Sequence, residues 1–187
     1  GPVVKHDGYY FFVYNEKLIR TRDFVNREIV FNQPLFTNNP HFTYKNQLFI
    51  GKYNFDKIRF QIFRYNGTGF DLYSENPGII GPSANDLSSD DKYFSIKQSS
   101  TGDSFFSSDT LKTFTKLGTS QFKGYFVFTK LIDGFLYGSR DNGIYRLKVE
   151  SPAIHEEITN NYRGAESNFF SFSNDDLLVE NNPVWSF

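Results

Sequence analysis

The chain has 187 residues, enough for one domain that buries about 70% of its unfolded surface without a disulfide or metal staple. Its 20 Lys and Arg against 21 Asp and Glu give a net charge of -1 with no long run of either sign, which excludes a general attraction to nucleic-acid backbones or anionic lipid. The absence of cysteine excludes a disulfide framework and thiolate metal sites, and no apolar run approaches the roughly 18 residues of a membrane helix.

Gly1-Pro2 reads as the remnant of a cleaved purification tag, which leaves residues 3–187 as a single domain cut from a longer protein. The 23 Phe and 12 Tyr, with one Trp and no Met, are strand composition rather than helix composition. Aromatic strands are expected at 9–14 (YYFFVY), 41–45 (HFTYK), 93–97 (YFSIK), 125–130 (YFVFTK) and 169–173 (FFSFS). Each precedes a hairpin whose turn carries Asp or Asn: Asp23, Asn54, Asp109, Asp141 and Asn181. An outer strand follows at 70–73. Residues 151–158 are the one stretch with room for a helical turn, limited by Pro152.

Strand, tight hairpin and edge strand, repeated five times, describe a small all-β propeller of about five short blades. Val3, Val4 and Lys5 have no role in the first unit of this scheme. They are expected to complete the last unit, so that pairing of the N- and C-terminal strands closes the ring. The alternative is a β-sandwich, in which hairpins also recur.

Two turns carry a family resemblance. Ser107-Ser108-Asp109-Thr110-Leu111-Lys112-Thr113-Phe114 resembles the Asp-box of sialidase-like, BNR-repeat propellers at Ser107, Asp109, Thr113 and Phe114, with Leu111 where the family has Gly. Ser139-Arg140-Asp141-Asn142-Gly143 matches at Ser139, Asp141 and Gly143. The first unit keeps only Thr21 and Asp23. The resemblance implies a propeller fold whose Asp accepts hydrogen bonds from turn amides. As a hairpin device it implies architecture rather than activity.

Sialidase chemistry would need an arginine cluster around a carboxylate. Arg20 and Arg22, two apart on one strand face, are the pair suited to an anion, although solvent-facing arginines alternate in the same way. Asp7, Asp91 and Glu166 each stand just ahead of an expected innermost strand. They are the candidate carboxylates if the chain is a glycoside hydrolase, although Asp91 reads more readily as part of a solvated turn. Joined by His41 and Lys123, the same three residues form the expected ligand-binding rim. Tyr9, Tyr44, Tyr65, Tyr73, Tyr162 and Trp185 are candidate sugar platforms, although packing explains each more readily. Scattered histidines and the absence of nucleophile or phosphate-loop motifs predict no metal and no cofactor.

These residues favour a non-catalytic attachment module of a larger surface or virion protein, compatible with an oligomeric parent, recognising a glycan or a protein partner outside the cell. The other readings are the hydrolase and an intracellular interaction scaffold. Nucleic-acid partners and direct membrane insertion are not expected.

Overall fold

Two-residue turns with both central residues at positive φ recur at Asp7-Gly8, Asn15-Glu16, Lys45-Asn46 and Asp133-Gly134. Their backbone twist matches that of antiparallel strands, which is why they close hairpins. A computed structural model describes residues 3–35, 39–80, 82, 87–98, 104–117, 129–140, 143–150, 155–159, 169–173 and 176–180.

The described chain forms four small antiparallel sheets, each with four strands in sequence order. The first contains β1 (Val4–His6), β2 (Tyr9–Tyr14), β3 (Lys17–Thr21) and β4 (Glu28–Phe31). The second contains β5 (His41–Tyr44), β6 (Gln47–Asn54), β7 (Arg59–Tyr65) and β8 (Phe70–Pro77). The third has β9 (Leu87–Ser89), β10 (Phe94–Gln98), β11 (Ser104–Ser108) and β12 (Thr115–Leu117). The fourth has β13 (Thr129–Ile132), β14 (Phe135–Arg140), β15 (Gly143–Lys148) and β16 (His155–Thr159). A hairpin of β17 (Phe169–Ser173) and β18 (Asp176–Glu180) follows.

Alternation along the strands shows how the sheets stack. Leu48, Ile50 and Phe63 of the second sheet pack with Phe11, Leu18 and Phe31 of the first. Phe49, Phe60 and Ile62, also of the second sheet, pack with Phe94, Ile96 and Phe106 of the third. Leu117 joins Leu131, Leu136 and Leu147 between the third and fourth. The second and third sheets are therefore covered on both faces, unlike either layer of a two-sheet sandwich. The first strands of neighbouring sheets abut, β1 against β5 and β9 against β13. Packing is close at Gly51, where an added Cβ would lie 2.5 Å from the Phe60 ring and 2.8 Å from Pro40.

The strands correct the repeat frame expected from sequence. Val4–His6 pairs with β2, Val4 opposite Phe11, so it is the first strand of the first sheet rather than the last strand of the final unit. The aromatic segments do not share one position: those at β2 and β10 are second strands, whereas that at β5 is a first strand. The turn markers divide likewise. Asp23 and Asp109 follow third strands, whereas Asn54 is the last residue of a second. Residues 155–158 are strand, not helix. The outer strand expected at 70–73 is present and longer, as β8.

A consistent repeat lies in the loops between third and fourth strands. Thr21 Oγ1 accepts the N–H groups of Asp23 and Phe24 at 3.4 and 2.9 Å. Asn66 Oδ1 accepts those of Thr68 and Gly69 at 3.0 and 2.8 Å. Ser108 Oγ accepts those of Thr110 and Leu111 at 3.3 and 2.9 Å. One side-chain oxygen thus replaces the ladder partner that two turn amides lose as the third strand ends.

Candidate functional site

An open cleft of about 300 Å³ lies on the first sheet, between Tyr9 and the β3–β4 loop. Register creates it. Tyr10 pairs with Thr21 and Phe11 with Arg20, so strand alternation sets Arg20 and Arg22 on the same face as Tyr9. The Arg20 guanidinium lies 4.8 Å from the Tyr9 ring centroid and that of Arg22 lies 4.4 Å from it. Both contacts are within cation–π range.

The two arginines differ in their commitments. Arg20 Nε donates to Glu28 Oε2 at 2.7 Å, and its Nη1 donates to the Tyr65 hydroxyl and to the Gly67 carbonyl at 2.7 Å. The Glu28 hydrogen bond foremost, then Tyr65, raises its pKa above the ordinary guanidinium value against the opposing effect of burial. Arg20 is thereby a strut from the first sheet to the β7–β8 loop of the second. Arg22 is exposed and has no hydrogen bond or ion pair among the described residues. Arg27, also on the cleft wall, donates from Nε to the Phe24 carbonyl at 3.2 Å.

The acidic residue nearest these cations is held by its own loop. Asp23 Oδ1 accepts the N–H groups of Val25 and Asn26 at 2.9 and 2.8 Å, and Oδ2 accepts from Asn26 Nδ2 at 2.7 Å. The Asn26 amides first, then Val25, hold its pKa down at about 2. It therefore stays ionised with both oxygens occupied.

The expected rim residues take different places. Asp7 sits in the β1–β2 turn at φ 47, its side chain 75% exposed and 3.4 Å from His6 Nε2. Asp91 is exposed in the turn between β9 and β10. Both precede the second strands of their sheets. His41 begins β5 and is buried, at the far end of that strand from its Lys45-Asn46 turn. Lys123 and Glu166 lie outside the described residues, as do Tyr162 and Trp185. Among the described residues no three His, Asp or Glu side chains gather as a metal site would require.

The Asp-box expectation shifts by one residue at β11. Ser108, not Asp109, caps the turn amides. Asp109 contributes its carbonyl, which accepts from the Tyr44 hydroxyl at 3.2 Å and Lys45 Nζ at 2.9 Å. Ser107 is buried in β11 opposite Thr115, Leu111 takes φ 61 where the resemblance has Gly, and Phe114 packs on the core. Ser139 lies in β14 and Gly143 opens β15, paired with Arg140. Asp141 lies outside the described residues.

Of the remaining aromatic candidates, Tyr44 is buried, and its hydroxyl donates to the Lys92 carbonyl at 2.7 Å. Burial, then Asp90, pushes its pKa up to about 12. Tyr65 and Tyr73 donate to the carbonyls of Gly67 and Thr110. Tyr9 alone of these four lines the cleft. Sequence reasoning assigned no role to Asp90, whose Oδ1 accepts the N–H groups of Lys92 and Tyr93 at 2.9 and 2.6 Å. An Asp in a polar turn, able to cap the amides two and three residues on, is the signal that marks it. The chain matches no known family model and no curated protein sequence.

Proposed function

We propose that the chain is a non-catalytic binding module of a larger surface or virion protein, recognising a glycan through side chains on the loop ends of its sheets. The Tyr9 cleft carries this reading. An aromatic ring bordered by two guanidiniums and an amide supplies the stacking and hydrogen-bonding groups that a sugar needs, with Tyr9 and Arg20 on strands and Arg22 and Asn26 on the β3–β4 loop. The cleft wall is polar and charged, a poor match for the apolar centre of a protein–protein interface.

In this reading the successive stacking of four-stranded meanders makes the chain a small propeller, with β17 and β18 belonging to a fifth unit that covers the outer face of the first sheet. Support comes from that face. It carries Tyr10, Phe12, Phe24 and Ile29, with Phe24 4.8 Å from the Tyr10 ring and 48% exposed. A chain ending at residue 168 is expected to bind a hydrophobic dye and unfold at lower urea than the full chain. Unchanged stability would sink the closed ring.

A glycan array read for both binding and cleavage tests the function. Selective binding without turnover is the expected result. Cleavage would replace this reading with the hydrolase and make Asp7, Asp91 and Glu166 the first residues to substitute. Silence across the array would favour a protein partner.

A further inference from the structure

We infer that Asn66, in the β7–β8 loop, is the acceptor for an N-linked glycan. This goes beyond the binding-module reading and shares with it only the assignment of the chain to a secreted or surface protein.

Asn66-Gly67-Thr68 is the one triplet in the chain in which Asn is followed two residues on by Ser or Thr. Such a triplet, with no proline at its centre, is a glycosylation acceptor where it lies on a surface loop. All three residues are exposed, between the third and fourth strands of the second sheet. The loop is firmly held: the Gly67 carbonyl accepts from Arg20 at 2.7 Å and from the Tyr65 hydroxyl at 2.6 Å. The space beside it is open, since a Cβ added at Gly67 would meet nothing within 4 Å.

The hydrogen bonds of the loop leave one amide hydrogen unengaged. Asn66 Oδ1 accepts the N–H groups of Thr68 and Gly69 at 3.0 and 2.8 Å, and the Thr68 hydroxyl at 3.1 Å. Nδ2 carries two hydrogens. One goes to Asp71 Oδ2 at 2.9 Å, and the other has no partner among the described residues. A sugar in place of that second hydrogen keeps every bond of the loop. The equivalent caps of the first and third sheets, Thr21 and Ser108, show that a hydroxyl suffices to hold such a turn. Asparagine fills the same role and adds a nitrogen.

The donor is a lipid pyrophosphate-linked oligosaccharide, presented by a transferase. The Nδ2–C1 bond forms as the C1–O bond to the pyrophosphate breaks, and the pyrophosphate leaves with the electron pair. The displaced Nδ2 proton passes to a base of the transferase. The product amide retains one N–H, the one that Asp71 accepts.

Expression of the full chain behind a cleavable secretion leader in insect cells, read by intact mass, tests this. The expected result is the added mass of one N-glycan, removed by peptide N-glycosidase, absent in Thr68→Ala and retained in Thr68→Ser. Thr68→Ala keeps the backbone N–H that Asn66 caps, so its fold should survive, with a urea midpoint close to that of the glycosylated chain.

Chain recovered from medium or lumen at its unmodified mass would overturn the site, as would an added mass that survives Thr68→Ala. A glycosylated chain that unfolds at distinctly lower urea than Thr68→Ala would overturn the geometric argument. The leader delivers the chain to the lumen whatever its ligand, so failure here leaves the glycan-array result standing, and a silent array leaves this one.

Discussion

The Asp90 carboxylate, in the turn between β9 and β10, accepts the backbone N–H of Gly134 at 2.7 Å and so ties the third sheet to the first hairpin of the fourth. Its other oxygen caps Lys92 and Tyr93 within its own turn. Ser88 makes a parallel tie, its hydroxyl accepting the Leu131 N–H at 2.8 Å. The third and fourth sheets are therefore joined by directed hydrogen bonds at their first hairpins as well as by apolar contact.

Asp90→Ala should cost about 2 kcal/mol, the scale of losing hydrogen bonds to a charged group. Asp91→Ala, one residue on and exposed, should stay within about 0.5 kcal/mol. Urea midpoints of the two variants make the comparison. Equal costs would show that the tie to Gly134 contributes little.

Leu111 and Ile58 share a left-handed backbone, at φ 61 and 53, but differ in burial. Ile58 is 66% exposed, so Ile58→Gly should stabilise by about 1 kcal/mol through relief of backbone strain. Leu111 is fully buried with Tyr44 and Phe94. Leu111→Gly should destabilise by about 2 kcal/mol or more, because lost packing outweighs the same relief. Thermal denaturation reads both signs.

Gly51→Ala should destabilise by about 2 kcal/mol, since its Cβ would meet the Phe60 ring at 2.5 Å and a proline rather than a flexible side-chain end. Gly8→Ala meets nothing within 4 Å and should lose only what its φ of 75 costs, about 1 kcal/mol. Chemical denaturation of each variant is the check.

Asp23 gives the acid limb of stability its sign. Its folded pKa, about 2, lies below the ordinary value of 3.8, so the folded state holds the proton less tightly than the unfolded chain. The stabilisation is present above about pH 4 and is lost as pH falls through about 2. Asp23→Asn should flatten the pH dependence of the urea midpoint in that interval and leave the slope above pH 5 unchanged. An unaltered acid limb would rule Asp23 out as a contributor.

Much of the local structure was legible in the chain. Leu48-Phe49-Ile50 and Phe60-Gln61-Ile62-Phe63 read as strands, and the short polar turns between such runs require antiparallel hairpins. Asp7-Gly8 and Asp133-Gly134 are strong hairpin signals in their own right. Repeat position was not legible. YYFFVY and HFTYK look alike, yet one is a second strand and the other a first. Aromatic content reports burial and does not encode which neighbour a strand pairs with, so markers chosen by content fell on different loops. Arg20 and Arg22 were visible as a pair, while their meeting with Tyr9 was not.

By itself, then, the sequence determined an all-β chain of hairpins with an excess of aromatic side chains and no charge imbalance, because alternation and turn chemistry act over a few residues. Tertiary structure decided which oxygen caps each loop, which sheet covers which face, and which arginine remains available. Arg20 is engaged only because Tyr65 and Gly67 arrive from another sheet, and Arg22 is left over because Asp23 turns to its own loop. Those outcomes depend on register and on contacts between distant segments, which no local pattern of residues specifies.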